Sequence, residues 1–147
     1  IMIGTAMTAS TKNTLIGYRA GDSITTNGAP GNTAVGYRAL EDIVAAGTNN
    51  SALGSEAGLN VTSGDYNVLL GQDAGQNLTT GSGNIMIGTA DFAAADSART
   101  LKIVSYDGSS TTNHMIGDSS GNQTFAGTAT AAGGQLTTTG KSLVLGF

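Results

Sequence analysis

Asparagine, two variable residues, a branched aliphatic and glycine recur at near-regular intervals in this chain, as Asn13–Gly17, Asn32–Gly36, Asn50–Gly54, Asn67–Gly71 and Asn84–Gly88. Successive glycines lie 19, 18, 17 and 17 residues apart, the length of one turn of a repeat solenoid and too short for a globular subdomain. The hexapeptide IMIGTA stands both at 1–6 and at 85–90, so Gly4 belongs to the same series. A unit this small cannot bury a face of its own and must stack on its copies.

Other positions keep step with the glycine. One residue before it stand Ile3, Ile16, Val35, Leu53, Leu70 and Ile87, all branched aliphatics, which predicts a core column. Three after it come Ala20, Ala39, Ala57 and Ala74, and seven after it Ile24, Ile43, Val61 and Leu78. Ten or eleven after it a second glycine (Gly28, Gly47, Gly64, Gly81) marks a tight turn that closes the coil. A helical reading fails, because the stretches between glycines are short and rich in Thr, Val, Ile, Asn and Gly. Short parallel strands, one coil above the next at about 4.8 Å, place each residue over its own copy. The asparagines then form an amide ladder along the axis. The anchor glycines serve a sharp bend or a positive φ that a Cβ would obstruct.

Composition supports a thin, repetitive fold. The chain of 147 residues has 23 Gly, no Cys, no Trp, one Pro, one His and only 11% charged residues. Large apolar groups are too few for a thick globular core. Disorder usually brings high net charge as well, which is absent here. Six Lys plus Arg are dispersed and the net charge is −4, so nucleic acid finds no basic footprint. No disulfide framework or thiolate site exists without Cys. No apolar run nears the ~18 residues that span a bilayer, so this segment is expected to stay out of the membrane. With neither an initiator Met nor a signal pattern before its first strand, the chain reads as an internal fragment.

Chemistry-bearing residues are sparse. Any Ser–His–acid arrangement must use His114, within Asn113–Gly117, a degenerate copy of the repeat and an ordinary polar strand position. Glu56 and Asp73 share the second position after the anchor with Arg19 and Arg38, an external charge ladder with Arg38 near Glu56 rather than a cation site. Calcium-roll and phosphate-loop patterns are missing. No catalytic residue, metal site or cofactor is therefore expected, and the chain is read as a non-enzyme. Tyr18 and Tyr37, each directly after an anchor glycine, stack on consecutive coils as a surface aromatic pair or a glycan contact. Thr25-Thr26 and Thr79-Thr80 suggest a flat threonine face, but Val44-Ala45 and Thr62-Ser63 interrupt it.

The segments NTLIGYRAG (13–21), NTAVGYRAL (32–40), NSALGSEAG (50–58), NVLLGQDAG (67–75) and NIMIGTA (84–90) resemble the left-handed parallel β-roll heads of trimeric autotransporter adhesins. They resemble still more the related repeats of bacteriophage and virus tail fibres, because the linker between motifs is longer than in the adhesin heads. The resemblance covers residues 1–90 and implies an all-β, left-handed parallel β-roll whose chains pack as a homotrimer about a common axis. Residues 91–147 form a second, looser β-rich region: LKIVSYDGSS (101–110) reads as a strand and turn, and NQTFAGTAT, GQLTTTG and KSLVLGF as short β segments. Three functional expectations follow from the resemblance. The first is a fibre segment on the virion surface, working by multivalent attachment to a host glycan or protein receptor. The second is a bacterial surface adhesin head. The third, a polysaccharide-cleaving tailspike, needs a groove of clustered carboxylates.

Overall fold

The computed structural model describes residues 12–24, 28–44 and 46–125. Among them the chain is all β, without a helix. Five three-residue strands come first: β1 (Thr14–Ile16), β2 (Thr33–Val35), β3 (Ser51–Leu53), β4 (Val68–Leu70) and β5 (Ile85–Ile87). Then follow β6 (Leu101–Tyr106), β7 (Thr111–Gly117) and β8 (Gln123–Phe125). All eight lie in one sheet in sequence order. Strands β1 to β6 pair in parallel, with Thr14 over Thr33, Thr33 over Ser51, Ser51 over Val68, Val68 over Ile85 and Ile85 over Leu101. This is a β-solenoid of about five stacked turns. The expected Gly4 coil and the segments GQLTTTG and KSLVLGF lie outside the described residues.

Each strand is short because glycine ends it. The anchors Gly17, Gly36, Gly54, Gly71 and Gly88 have φ of 138°, 144°, 144°, 132° and 108°, a region that side chains resist. Space forbids a side chain as well: a Cβ on Gly54 would lie 2.6 Å from the carbonyl carbon of Gly71 in the next coil. Hydrogen bonding between coils continues past the strands into the bends. Gly54 N donates to Val35 O, Glu56 N to Tyr37 O and Gly58 N to Ala74 O.

The interior is one column of small and medium apolar groups. Leu15, Ala34, Ala52, Leu69 and Met86 point inward from the strands, and they meet Ala39, Ala57, Ala74, Ile43, Val61 and Leu78 from the other sides of the coil. The residue one before the anchor is therefore not core: Ile16 is 37% exposed, Leu53 54% and Ile87 40%. The reason is the two-residue period of a strand. The buried asparagine four before the glycine points inward, the residue two before does the same, and the one between them and the last face solvent. Alanine at 34 and 52 occupies the inward position and disguised this alternation.

Asparagine joins the coils inside the wall. Asn32, Asn50, Asn67 and Asn84 are fully buried. Asn50 donates from its backbone N and from Nδ2 to Asn32 Oδ1 at 2.8 and 3.1 Å, and Nδ2 also reaches Gly64 O at 2.8 Å. Asn67 and Asn84 repeat the pattern one coil on each time. Each amide thus serves both its neighbour and the turn that closes its own coil, leaving few buried polar atoms unpaired.

One side chain tests how packing competes with backbone strain. Leu40 is fully buried at φ 49°, where the equivalent residues are Gly21, Gly58 and Gly75 at 61–62°. The left-handed conformation costs a leucine about 1–2 kcal/mol, whereas emptying a buried leucine site costs about 2–5 kcal/mol. Leu40→Gly is expected to lower stability by a net 1–3 kcal/mol or so in urea denaturation; a gain in stability would mean that backbone strain dominates at this bend.

The stacking runs on beyond the last complete motif. Thr100 takes the asparagine position, its N donating to Asn84 Oδ1 at 3.0 Å, and Arg99 before it keeps the positive φ of Asn49 and Tyr66. β6 then turns from parallel to antiparallel company, since its other edge pairs with β7, and β7 with β8. Phe92, 5% exposed, packs into the core beside Gly75. The turns between the last strands are fixed by carboxylates. Asp107 accepts from Ser110 N and Ser109 N, and Asp118 from Asn122 and Ser120 N, which holds both carboxyls below their ordinary range.

Candidate functional site

Two adjoining surfaces carry the groups a partner would meet. The first is the outward face of the sheet, where the residues one before the anchor (Ile16, Val35, Leu53, Leu70, Ile87) form an aliphatic line up the stack. The residues three before it change along the axis from Thr14, Thr33 and Ser51 to Val68 and Ile85, and β6 adds Leu101 and Ile103 in register. The face therefore broadens from one apolar line to two. Ile85 is 41% exposed and Leu53 more than half, although large aliphatics are normally scattered singly on a soluble surface.

The second surface lies just past the anchor glycine. Tyr18 and Tyr37 stack with ring centroids 5.7 Å apart and planes 11° from parallel, and both rings are about half exposed. The Arg38 guanidinium carbon stands 6.0 Å from the Tyr37 centroid, the outer limit for a cation–π contact. It is held there by carboxylates: Arg38 Nε pairs with Glu41, and Nη1 lies 3.6 Å from Glu56. Arg19 joins from the coil before, pairing with the same Glu41 at 2.5 Å and with Asp22 at 3.2 Å. Glu41 is almost wholly buried between the two arginines, and its hydrogen bond raises the Arg38 pKa above the ordinary guanidinium value. Gln76 Nε2 extends the line, donating to Glu56 at 2.8 Å and to Asp73 at 3.5 Å.

The column two after the anchor places Arg38 near Glu56, as the structure does, but Glu41 is the tighter partner. Glu41 stands five residues after its anchor, where the other coils have Asp22, Leu59 and Gln76; the available signal was the opposite charge three residues on that Arg19–Asp22 and Arg38–Glu41 share, a spacing that brings side chains together across a turn. Arg19, Arg38, Glu56 and Asp73 also share φ of 54–58°, so this whole column is a left-handed bend occupied by charge.

His114 does not lie in a coil. It is exposed on antiparallel β7, with Nε2 2.8 Å from Ser105 Oγ of β6, and Asn113 opposes Val104 rather than stacking on Asn84. The Asn-to-Gly spacing at 113–117 is thus a coincidence within a β meander. Among the described residues, no three His, Asp or Glu side chains are grouped to hold a metal ion, and no helix is long and apolar enough to cross a membrane. No protein-family model, curated protein or solved structure matches the chain.

Proposed function

We propose that this chain is a segment of a trimeric phage or viral tail fibre, in which three left-handed rolls pack side by side and the assembly attaches multivalently to a host surface. The observation that carries the reading is the aliphatic face of β1–β6. Full burial of a Leu or Ile side chain contributes roughly 1.5–3 kcal/mol, and a good part of that is unrealised at Leu53, Ile85 and Ile87 in a single chain. A three-fold axis brings one copy of the same face from each chain to the centre and closes the assembly without leaving a template for further growth. The identical pitch of the coils lets three faces meet along their whole length. Binding by such a fibre is a matter of repetition: three copies of a weak contact yield avidity that one lacks.

The test is a charge placed on that face. Leu53→Asp together with Ile87→Asp is expected to turn a trimer into a monomer in light scattering behind size exclusion, with the β signature in circular dichroism retained. A double variant that stays trimeric would overturn the role given to this face.

A further inference from the structure

The tyrosine column breaks off after two coils, and the break has a definite shape. The residues directly after the anchors read Tyr18, Tyr37, Ser55, Gln72 and Thr89. Tyr37 and Ser55 are consecutive in this column, since Val35 pairs with Leu53 and Glu56 N donates to Tyr37 O. One face of the Tyr37 ring is engaged by Tyr18. Beyond the ring the column drops to the short, exposed side chain of Ser55. Gln72 follows, also exposed, two coils and so about 9.6 Å from Tyr37. Such a gap admits one ring between Tyr37 and Gln72. Arg38 borders it without covering it: the guanidinium carbon stands over the Tyr37 ring 6.0 Å from the centroid, held by Glu41 and Glu56, and Tyr37 stays 49% exposed.

The rim is mixed in sign. Arg38 offers donors, Glu56 an acceptor, the Ser55 hydroxyl both, and the Gln72 amide its oxygen and the hydrogen left over from the bond its Nε2 donates to Asp73 Oδ2 at 3.2 Å. With both arginines already paired to carboxylates, the site has no surplus positive charge to select an anion. A ligand suited to it has one flat face bearing C–H groups for the ring and several hydroxyls at its edge for both donors and acceptors.

We infer that the ledge formed by Tyr37, Ser55 and Gln72, rimmed by Arg38 and Glu56, is a subsite for one neutral pyranose ring of a surface glycan, stacked on Tyr37. The inference rests on the attachment half of the function proposed above and not on the trimer. In a three-fold fibre the subsite occurs three times at one level of the shaft, which suits a polysaccharide surface where each contact is weak.

Saturation-transfer NMR on the whole 147-residue chain tests it, with maltohexaose, cellohexaose, chitotriose and dextran as neutral probes and polygalacturonate as an acidic one. Transfer to ring C–H protons of at least one neutral probe is expected. Tyr37→Ala should weaken it at least tenfold, and Ser55→Trp, which covers the ledge from an exposed position, should do the same while melting temperature and mass stay unchanged. The site is overturned if no neutral probe receives saturation, if only polygalacturonate does, or if binding survives both substitutions. Light scattering on the same samples separates the two claims, because a monomer that still binds sugar removes the assembly alone, and a trimer that binds none removes the subsite alone.

Discussion

Gly54→Ala is expected to cost more than about 4 kcal/mol, a large fraction of the roughly 5–15 kcal/mol that keeps a domain folded. Two independent penalties fall on the same atom. At φ 144° an L side chain is strained, and the added Cβ would stand 2.6 Å from Gly71 C and 3.1 Å from Gln72 N, both backbone atoms that the inter-coil hydrogen bonds hold in place. Moving them means opening the stack. Gly108→Ala isolates the first penalty, because Gly108 also has positive φ, at 96°, but nothing lies within 4 Å of its Cβ position. That variant should lose only about 1 kcal/mol. Urea denaturation followed by circular dichroism compares them, and equal losses in the two proteins would mean that the coils are not in the close contact described.

Asn50→Ala is expected to cost about 3–5 kcal/mol. The side chain accepts from Asn67 N at 2.9 Å and Asn67 Nδ2 at 3.0 Å, and it donates to Asn32 Oδ1 and Gly64 O. Removing it orphans Asn67 N and Gly64 O outright, each at a site sealed from water. Asn67 Nδ2 keeps its bond to Gly81 O and Asn32 Oδ1 its bond from Asn50 N, which is why the loss falls short of all four. At about 1–3 kcal/mol for each unsatisfied buried group, plus the cavity, the sum exceeds what an exposed ion pair such as Arg19–Asp22 could contribute. Asn50→Asp should be nearly as harmful, since a carboxylate keeps the acceptor but faces Asn32 Oδ1 with a second acceptor. A melting curve unchanged by either substitution would rule out a ladder that binds coil to coil.

The columns that were easiest to see in the sequence are those under the tightest physical constraint. Glycine at 17, 36, 54, 71 and 88 is irreplaceable on two grounds and so recurs without variation, and the buried asparagines recur with it. The direction of each side chain was harder to read. Ile16, Val35, Leu53, Leu70 and Ile87 are uniformly aliphatic, and uniform apolar character reads as core, whereas the inward residues vary from Ala34 to Met86. A face can be apolar because it is buried within the chain or because it awaits another copy, and composition alone does not separate these.

The sixth coil was hidden for a different reason. Val104 stands where the anchor glycine belongs, and its carbonyl is the one that closes on Gly88. No further coil stacks on Val104 itself, since β7 covers it in antiparallel register, so the demand for glycine lapses there. Thr100 replaces asparagine because it needs only to donate its backbone N–H to Asn84, not to pass an amide onward. The repeat signature disappears from the sequence one coil before the architecture ends. Glu41 escaped because its column changes from Asp22 and Glu41 to Leu59 and Gln76, and the ledge beside Tyr37 because it is defined by a column's interruption at Ser55.

Light scattering on the folded chain in solution tests the central claim most directly. A stack of coils with an aliphatic line up one face should associate about a three-fold axis, and the expected result is a single species of three chain masses at micromolar concentration, independent of salt. A well-folded species of one chain mass, stable with Leu53, Ile85 and Ile87 in water, would contradict it.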